Sequence, residues 1–228
     1  MRRLRAAVPF IVAALIVLVM TMQTPSTTAP EVTPSPSLVS LPSPLVRGGR
    51  SLDEALAQRR SARDFAPRGL TQGQLGQLLW AAQGVTDPEG RRTAPSAGGL
   101  YPLEVYAATV DGLFHYLPAE HALRPLLQAD VRAQLQAAAF DQAAVGDAPL
   151  VIVLTGLIAR TEVKYGERAA RYVDLEAGHA AQNVLLEATA LDLVALPVGS
   201  FDDQRVRAVL RAPVYETPLY LLPVGWPA

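Results

Sequence analysis

The run Pro149–Thr155, PLVIVLT, constrains this chain most. Its residues are continuously apolar and largely β-branched, with no polar alternation. As a strand it therefore needs apolar cover on both faces. Other strands read around it. Leu103–Val110 and Leu113–Leu117 flank Asp111-Gly112, a strong short-range hairpin signal. Leu193–Val198 and Leu219–Val224 form two further candidates. Ser51-Leu-Asp-Glu54 is a capping box with acidic residues in the first turn, and predicts a helix over Leu52–Arg60. Thr71-Gln-Gly-Gln74 repeats the device before Leu75–Gln83, which Gly84 stops. Leu123–Phe140 reads as an Ala- and Gln-rich helical region interrupted at Pro125. Tyr172–Leu191 reads as a long Ala-rich helix with Leu175, Gly178, Gln182 and Leu185 near one face. Helices and strands are mixed without a regular βαβ alternation, so the fold class is α+β.

The N-terminus is of another kind. Arg2, Arg3 and Arg5 precede the 17 uncharged residues Ala6–Met22, a length at the short end of the ~17–25 that span a bilayer. Residues 1–22 are therefore expected to be a signal anchor or a cleaved signal peptide, with the anchor favoured. Arginines held in the cytoplasm would leave the folded part outside, or secreted after cleavage. Residues 23–46, rich in Pro, Ser and Thr, are expected to be an extended tether, and residues 47–228 the globular domain.

Composition removes several function classes. The net charge of −1 gives no electrostatic footprint for nucleic acid. The absence of cysteine excludes disulfides, thiolate metal sites and a cysteine nucleophile. Three scattered histidines, His115, His121 and His179, give a metal site little support. No GxGxxG, GxxxxGK[ST], HExxH or GxSxG occurs.

Two stretches carry chemistry. Arg59-Arg60-Ser61-Ala62-Arg63 puts three guanidiniums and a hydroxyl within five residues, enough to grip a phosphate by bidentate, charge-assisted hydrogen bonds. A solvated helix end would look the same. Thr93–Pro102, TAPSAGGLYP, pairs glycines between prolines. Such a loop exposes backbone N–H groups and lets a planar ligand approach the main chain, although an ordinary tight turn is also consistent.

Taken together and in order, RRSAR, LLWAAQGVTDPEGRRTAPSAGGLYPLEVY, KYGERAARYVDLEAGHAAQNVLLEATALDLVALPVGSFDD and PLYLLPVG resemble the nitroreductase superfamily of flavoproteins. Within it the chain is most similar to the SagB-type dehydrogenases, relatives of the flavin-dependent azoline oxidases that finish thiazole and oxazole peptides. The likeness implies a nitroreductase-like sandwich built as an intertwined homodimer with FMN at the subunit interface. By this likeness Arg59, Ser61 and Arg63 hold the phosphate and ribityl chain. Pro95, Ser96, Ala97, Gly98 and Gly99 lie along the flavin from the opposite subunit. Gln182 and Asn183 stand near the cofactor on the long helix, and Pro197, Val198, Gly199 and Ser200 meet the ring. Lys164-Tyr165 matches a Lys–Tyr pair held to remove a proton from the ring being aromatised. Composition adds to this: Lys164 is the one lysine among 20 basic residues, and lysine, unlike arginine, can serve as a base. Trp226 departs from the pattern, standing where a phosphate-binding basic residue is usual; Arg205, Arg207 or Arg211 would have to compensate.

The expected function is FMN-dependent hydride transfer from a small-molecule or peptide substrate, with O2 or a quinone as electron partner. The alternatives are an NAD(P)H-dependent nitro or quinone reductase, and a degenerate flavin-binding module without turnover.

Overall fold

The computed structural model describes residues 37–228, and the anchor or signal segment lies outside them. Fourteen helices and strands build this part. In chain order they are β1 (Val39–Ser40), α1 (Leu52–Gln58), α2 (Gln72–Gln83), β2 (Leu103–Thr109), β3 (Gly112–Leu117), β4 (Ala122–Leu127), α3 (Arg132–Ala138), α4 (Ala143–Asp147), β5 (Leu150–Gly156), α5 (Ile158–Tyr165), α6 (Ala169–Ala190), β6 (Val194–Ala195), α7 (Asp203–Leu210) and β7 (Thr217–Gly225). Among them no helix is long and apolar enough to cross a membrane.

The strands form one seven-stranded sheet in the order β1-β4-β3-β2-β5-β7-β6, antiparallel at every pairing. β5 is buried along its whole length. Its side chains alternate between two cores. Leu150, Ile152 and Leu154 join the cluster with Val173, Ala177, Ala180, Ala181 and Val184 of α6 and Leu78 and Leu79 of α2. Val151 and Val153 join the cluster with Leu135 of α3, Val145 of α4 and Val206 and Leu210 of α7. This is the two-sided cover that the PLVIVLT run demands. The alanines of α6 are small enough to bring its axis close to the sheet, which makes α6 the central pillar of one layer.

Both capping boxes form, with reciprocal Ser51–Glu54 and Thr71–Gln74 hydrogen bonds. The Asp111-Gly112 hairpin also forms. Gly112 has φ +148, and a Cβ there would stand 2.2 Å from the Leu127 carbonyl oxygen, so the turn admits only glycine.

Four expectations need correction. Leu123–Phe140 is a strand, β4, followed by the short α3. Pro125 is tolerated because β1 pairs only with Ala122 and Leu123, which leaves the outer edge of β4 free where the proline lacks an N–H. The first helix stops at Gln58, and Arg59 is already extended (φ −52, ψ 122). The expected strand Leu193–Val198 is regular only at Val194–Ala195; the Leu196 N–H still donates to the Pro223 carbonyl at 3.0 Å, and beyond Pro197 only an isolated bridge, Val198 to Leu221, remains. Finally, the expected tether is folded from Val39. Val39 and Ser40 pair with β4, Leu41 is buried, and Leu45 exchanges two hydrogen bonds with the Gln77 side chain through its N–H (2.8 Å) and carbonyl (3.0 Å).

Candidate active site

The early end of α1 shapes the first half of the site. Extended backbone lets Ser61 bridge Ala195 in parallel, with the Ala62 N–H donating to the Ala195 carbonyl at 3.1 Å. Arg59-Arg63 is thereby laid beside β6, which leads directly into Pro197, Val198, Gly199 and Ser200. Ser61 and Arg63 are exposed, and Gly199 and Ser200 are exposed across from them. A shallow concavity next to them is lined by Ser61, Ala62, Arg63, Asp64, Val194 and Pro227. Arg60 turns back to the Ala57 and Arg59 carbonyls. Arg59 and Arg63 pair with no carboxylate among the described residues. One half-buried and one exposed guanidinium, neither paired with a carboxylate among the described residues, beside a hydroxyl are chemically an anion site.

Trp226 is not part of it. Its ring lies under the Arg68 guanidinium, 3.7 Å from the centroid, and its indole N–H donates to the Gly69 carbonyl at 3.2 Å. Arg205, Arg207 and Arg211 belong to α7 and its end, an element that packs on α3.

The second half is built on Pro95–Gly99. Gly98 and Gly99 both have left-handed backbone (φ +65 and +67) within a single 3-10 turn. Ser96 fixes the loop by accepting the Tyr101 N–H on its hydroxyl at 2.8 Å. From α6, Asn183 reaches the Thr93 carbonyl at 3.3 Å, whereas Gln182, on the adjacent face, is exposed. The last turn of α5 brings Lys164 and Tyr165 onto Gly98. A Cβ at Gly98 would lie 2.9 Å from Lys164 Nζ and 2.9 Å from Tyr165 Oη. Lys164 is exposed, and Tyr165 is half-buried against the edge of Tyr172. The loop and the Lys–Tyr pair, far apart in sequence, are therefore one unit.

Several polar residues behind this unit carry no motif. Glu104 on β2 accepts from Arg160 of α5 at 2.7 Å and contacts His115 Nε2 at 2.8 Å. Burial pushes the Glu104 carboxyl up, but the hydrogen bonds from His115 and Arg160 outweigh it and hold it below the usual range. His115 stacks on Tyr106, which agrees with a packing role. Arg160 also donates to the Tyr101 carbonyl, and Arg92 lies over the Tyr101 ring at 4.6 Å while bonding Gln83 at 2.9 Å. Glu176 of α6 is 2% exposed. Burial pushes its carboxyl up to about 7, against the Ser96 hydroxyl and the charges of Arg92 and Arg160, which act to lower it. One signal for Glu176 was available: a carboxylate on the helix face that otherwise carries Val173, Ala177, Ala180 and Val184.

Beside Asn183 and Thr93 lies a cavity of about 290 Å³, lined also by Leu52 and Ala55 of α1, Trp80 and Glu187.

Comparison with known proteins agrees with this geometry. The model of the nitroreductase family matches residues 56–226. A Methanocaldococcus jannaschii protein named as a nitroreductase is 41% identical over 180 residues, 76% of this chain and 90% of that one. The Escherichia coli microcin B17-processing protein McbC is 28% identical over 131 residues, and the chain spans about half of its length (48%). Among solved structures, a Ralstonia eutropha protein named as a nitroreductase superposes with a TM-score of 0.78 at 31% identity, covering 86% of this chain and 92% of that one. The E. coli microcin synthetase McbBCD complex gives 0.65 at 21% identity over 94% and 85%, a likeness of fold. By sequence match, sheet and loop geometry, the chain belongs to the nitroreductase family, a family of oxidoreductases.

Proposed function

We propose that this protein is an FMN-dependent dehydrogenase or oxidase of the SagB type, working as a homodimer tethered to the membrane by its N-terminal segment. The observation that carries the reading is the convergence of Lys164 and Tyr165 on Gly98. A proton-moving pair at the edge of a glycine cradle suits a substrate that loses a hydride and a proton from neighbouring atoms. The residues present fit FMN. Gly98 and Gly99 present main chain without side chains next to Lys164 and Tyr165, which suits the approach of a planar ring, and Arg59, Ser61 and Arg63 form an anion site paired with no carboxylate among the described residues. Bound FMN would supply a hydride acceptor that returns its electrons to O2 or a quinone.

Each group of residues then has a task. Arg59, Ser61 and Arg63 hold the phosphate end, and the main chain of Pro197–Ser200 borders the ring. Pro95, Ser96, Ala97, Gly98 and Gly99 cover it from the second subunit, with Asn183 bracing their loop through Thr93. Lys164 takes the substrate proton, with Tyr165 orienting its amine. The similarity to McbC favours a peptide ring, an azoline, as substrate class.

The test is anaerobic reduction of the FMN-loaded full chain. An azoline-containing peptide is expected to bleach the flavin while NADPH does not, and Lys164→Ala is expected to keep its flavin but slow bleaching at least 100-fold, in line with the ~10²–10⁴ that a positioned base contributes. Rapid bleaching by NADPH, unchanged in Lys164→Ala, would overturn the assignment in favour of an NAD(P)H-driven reductase.

A further inference from the structure

The chemistry above gives Arg160 no task, yet this residue stands between the two parts that α5 brings together. α5 meets the glycine loop at both of its ends. At its start, the Leu157 N–H donates to the Pro102 carbonyl at 2.9 Å, and Arg160 Nη1 donates to the Tyr101 carbonyl at 2.5 Å. At its last turn, Lys164 and Tyr165 stand over Gly98. Arg160 and Lys164 are four residues apart and so share one face of the helix, with about 6 Å of rise between them. The other arm of the guanidinium, Nη2, donates to Glu104 Oε1 of β2 at 2.7 Å, and Glu104 Oε2 contacts His115 Nε2 at 2.8 Å. One planar fork therefore ties helix, loop and sheet together.

Tyr101 is the point at which the loop needs holding. Its φ of +46 is a left-handed backbone that a tyrosine keeps only when its surroundings impose it. Every polar group of Tyr101 is engaged. Its N–H donates to Ser96 Oγ at 2.8 Å, its hydroxyl accepts the Arg92 N–H at 3.2 Å, and its ring lies under the Arg92 guanidinium, 4.6 Å from the centroid. The carbonyl remains, and Arg160 takes it. Stability does not account for this arginine, because it is exposed on α5 and an ion pair open to solvent contributes little. What a rigid fork with one arm on a carbonyl and the other on a carboxylate supplies is direction.

We infer that Arg160 is a positioning residue: by holding the Tyr101 carbonyl and the Glu104 carboxylate at once, it sets the register of α5 against the glycine loop and so fixes where the Lys164 amine stands over Gly98. It acts through Lys164, one helical turn on, and takes no part in moving the proton itself. The inference rests on the proposed reaction for its catalytic consequence and on the geometry alone for the placement of the lysine.

Lys164 is the only lysine of the chain, which gives the test a probe of its own. In the full chain grown with isotope-labelled lysine, a single side-chain signal in the magnetic resonance spectrum reports on it. A held lysine shows inequivalent protons on Cε, and a freely rotating one shows a single averaged shift. Inequivalent protons are expected in the native chain without flavin. Arg160→Met keeps the apolar stem but removes the fork, and is expected to move the signal to the free-lysine position. Arg160→Gln, with one donor left for the Tyr101 carbonyl, should move it part of the way. Glu104→Gln is expected to give an intermediate shift, and the double variant with Arg160→Met no more than Arg160→Met alone; a general loosening would add instead of saturating. With FMN and an azoline-containing peptide, Arg160→Met is expected to slow bleaching at saturation about tenfold without changing the half-saturating concentration, and Arg160→Lys to recover part of the rate. A signal already averaged in the native chain, or one that Arg160→Met leaves unmoved, overturns the inference. If Arg160→Met fails to fold, Glu104→Gln decides by the same signal, an unmoved one again overturning it. If the signal follows the expected pattern while the peptide never bleaches the flavin, the placement stands and the assigned reaction falls.

Discussion

At the scale of single residues, the site depends on positions where one atom decides the outcome. Gly98 is the clearest. Alanine there would hold a left-handed φ of +65 and set its Cβ 2.9 Å from both Lys164 Nζ and Tyr165 Oη. The lysine end can swing away, so backbone strain dominates, and Gly98→Ala is expected to lower stability by about 1–2 kcal/mol in urea unfolding. Its larger expected effect is on flavin affinity, at least tenfold weaker by fluorescence titration. Glu176 gives a pH signature. Its folded-state pKa is raised from 4.5 to about 7, so its contribution to stability is complete below pH 4.5 and is lost as pH rises to 7. Carboxylates such as Asp87 and Asp130, held down by hydrogen bonds from Arg91 and Arg132, act with the opposite sign, so only a difference between variants isolates Glu176. Relative to the native chain, Glu176→Gln is expected to gain on the order of 3 kcal/mol between pH 4.5 and 7 and nothing further above it. Urea unfolding at three pH values checks this; a constant difference would contradict the burial argument. The glycines and the Lys–Tyr pair were legible as letters in a motif. Glu176 was legible only as a carboxylate on an apolar helix face, and Arg92 and Arg160 were not legible at all, because what joins the three is tertiary packing around one loop, which no local spacing encodes.

At the scale of elements, the chain shows where local pattern suffices. The caps at Ser51 and Thr71, the Asp111-Gly112 turn and the doubly buried β5 are set within a few residues, and each stands where the sequence predicts it. β4 is the counterexample. The segment ALRPLL has no strand alternation and contains a proline, and it becomes a strand because β3 offers a partner while β1 ends early. Partnering across the sheet outweighed local propensity. The same applies to residues 37–46, whose Pro- and Ser-rich composition reads as a tether. Leu41 finds a place in the main core and Leu45 finds the Gln77 amide, and neither is visible without the rest of the sheet. A direct consequence follows for stability. A chain starting at Arg47 is expected to be about 3 kcal/mol less stable than one starting at Ser37, from the lost burial of Leu41, the unpaired β4 edge and the orphaned Gln77. The urea midpoints of the two forms measure it, and equal midpoints would return residues 37–46 to the status of a tether.

At the scale of the whole molecule, the two halves of the site occupy different parts of one chain. Arg59–Arg63 lies against β6 and Pro197–Ser200, and the glycine loop lies against α5 and α6. The proposed dimer would close one half from each subunit around a single cofactor, which ties assembly to flavin binding. Loss of the anion site in an Arg59→Ala, Arg63→Ala variant should then weaken both. The family and the fold were legible from the order of the motifs along the chain. Substrate class and electron partner depend on walls that a second subunit would supply, so a single chain's sequence encodes them only indirectly. The most direct test is size-exclusion chromatography of the full chain with FMN, monitored by light scattering and flavin absorbance together. One bound FMN per chain, eluting at the mass of a dimer, is the expected result. A folded protein that elutes without flavin, or that holds it as a monomer, would contradict a site shared between two subunits.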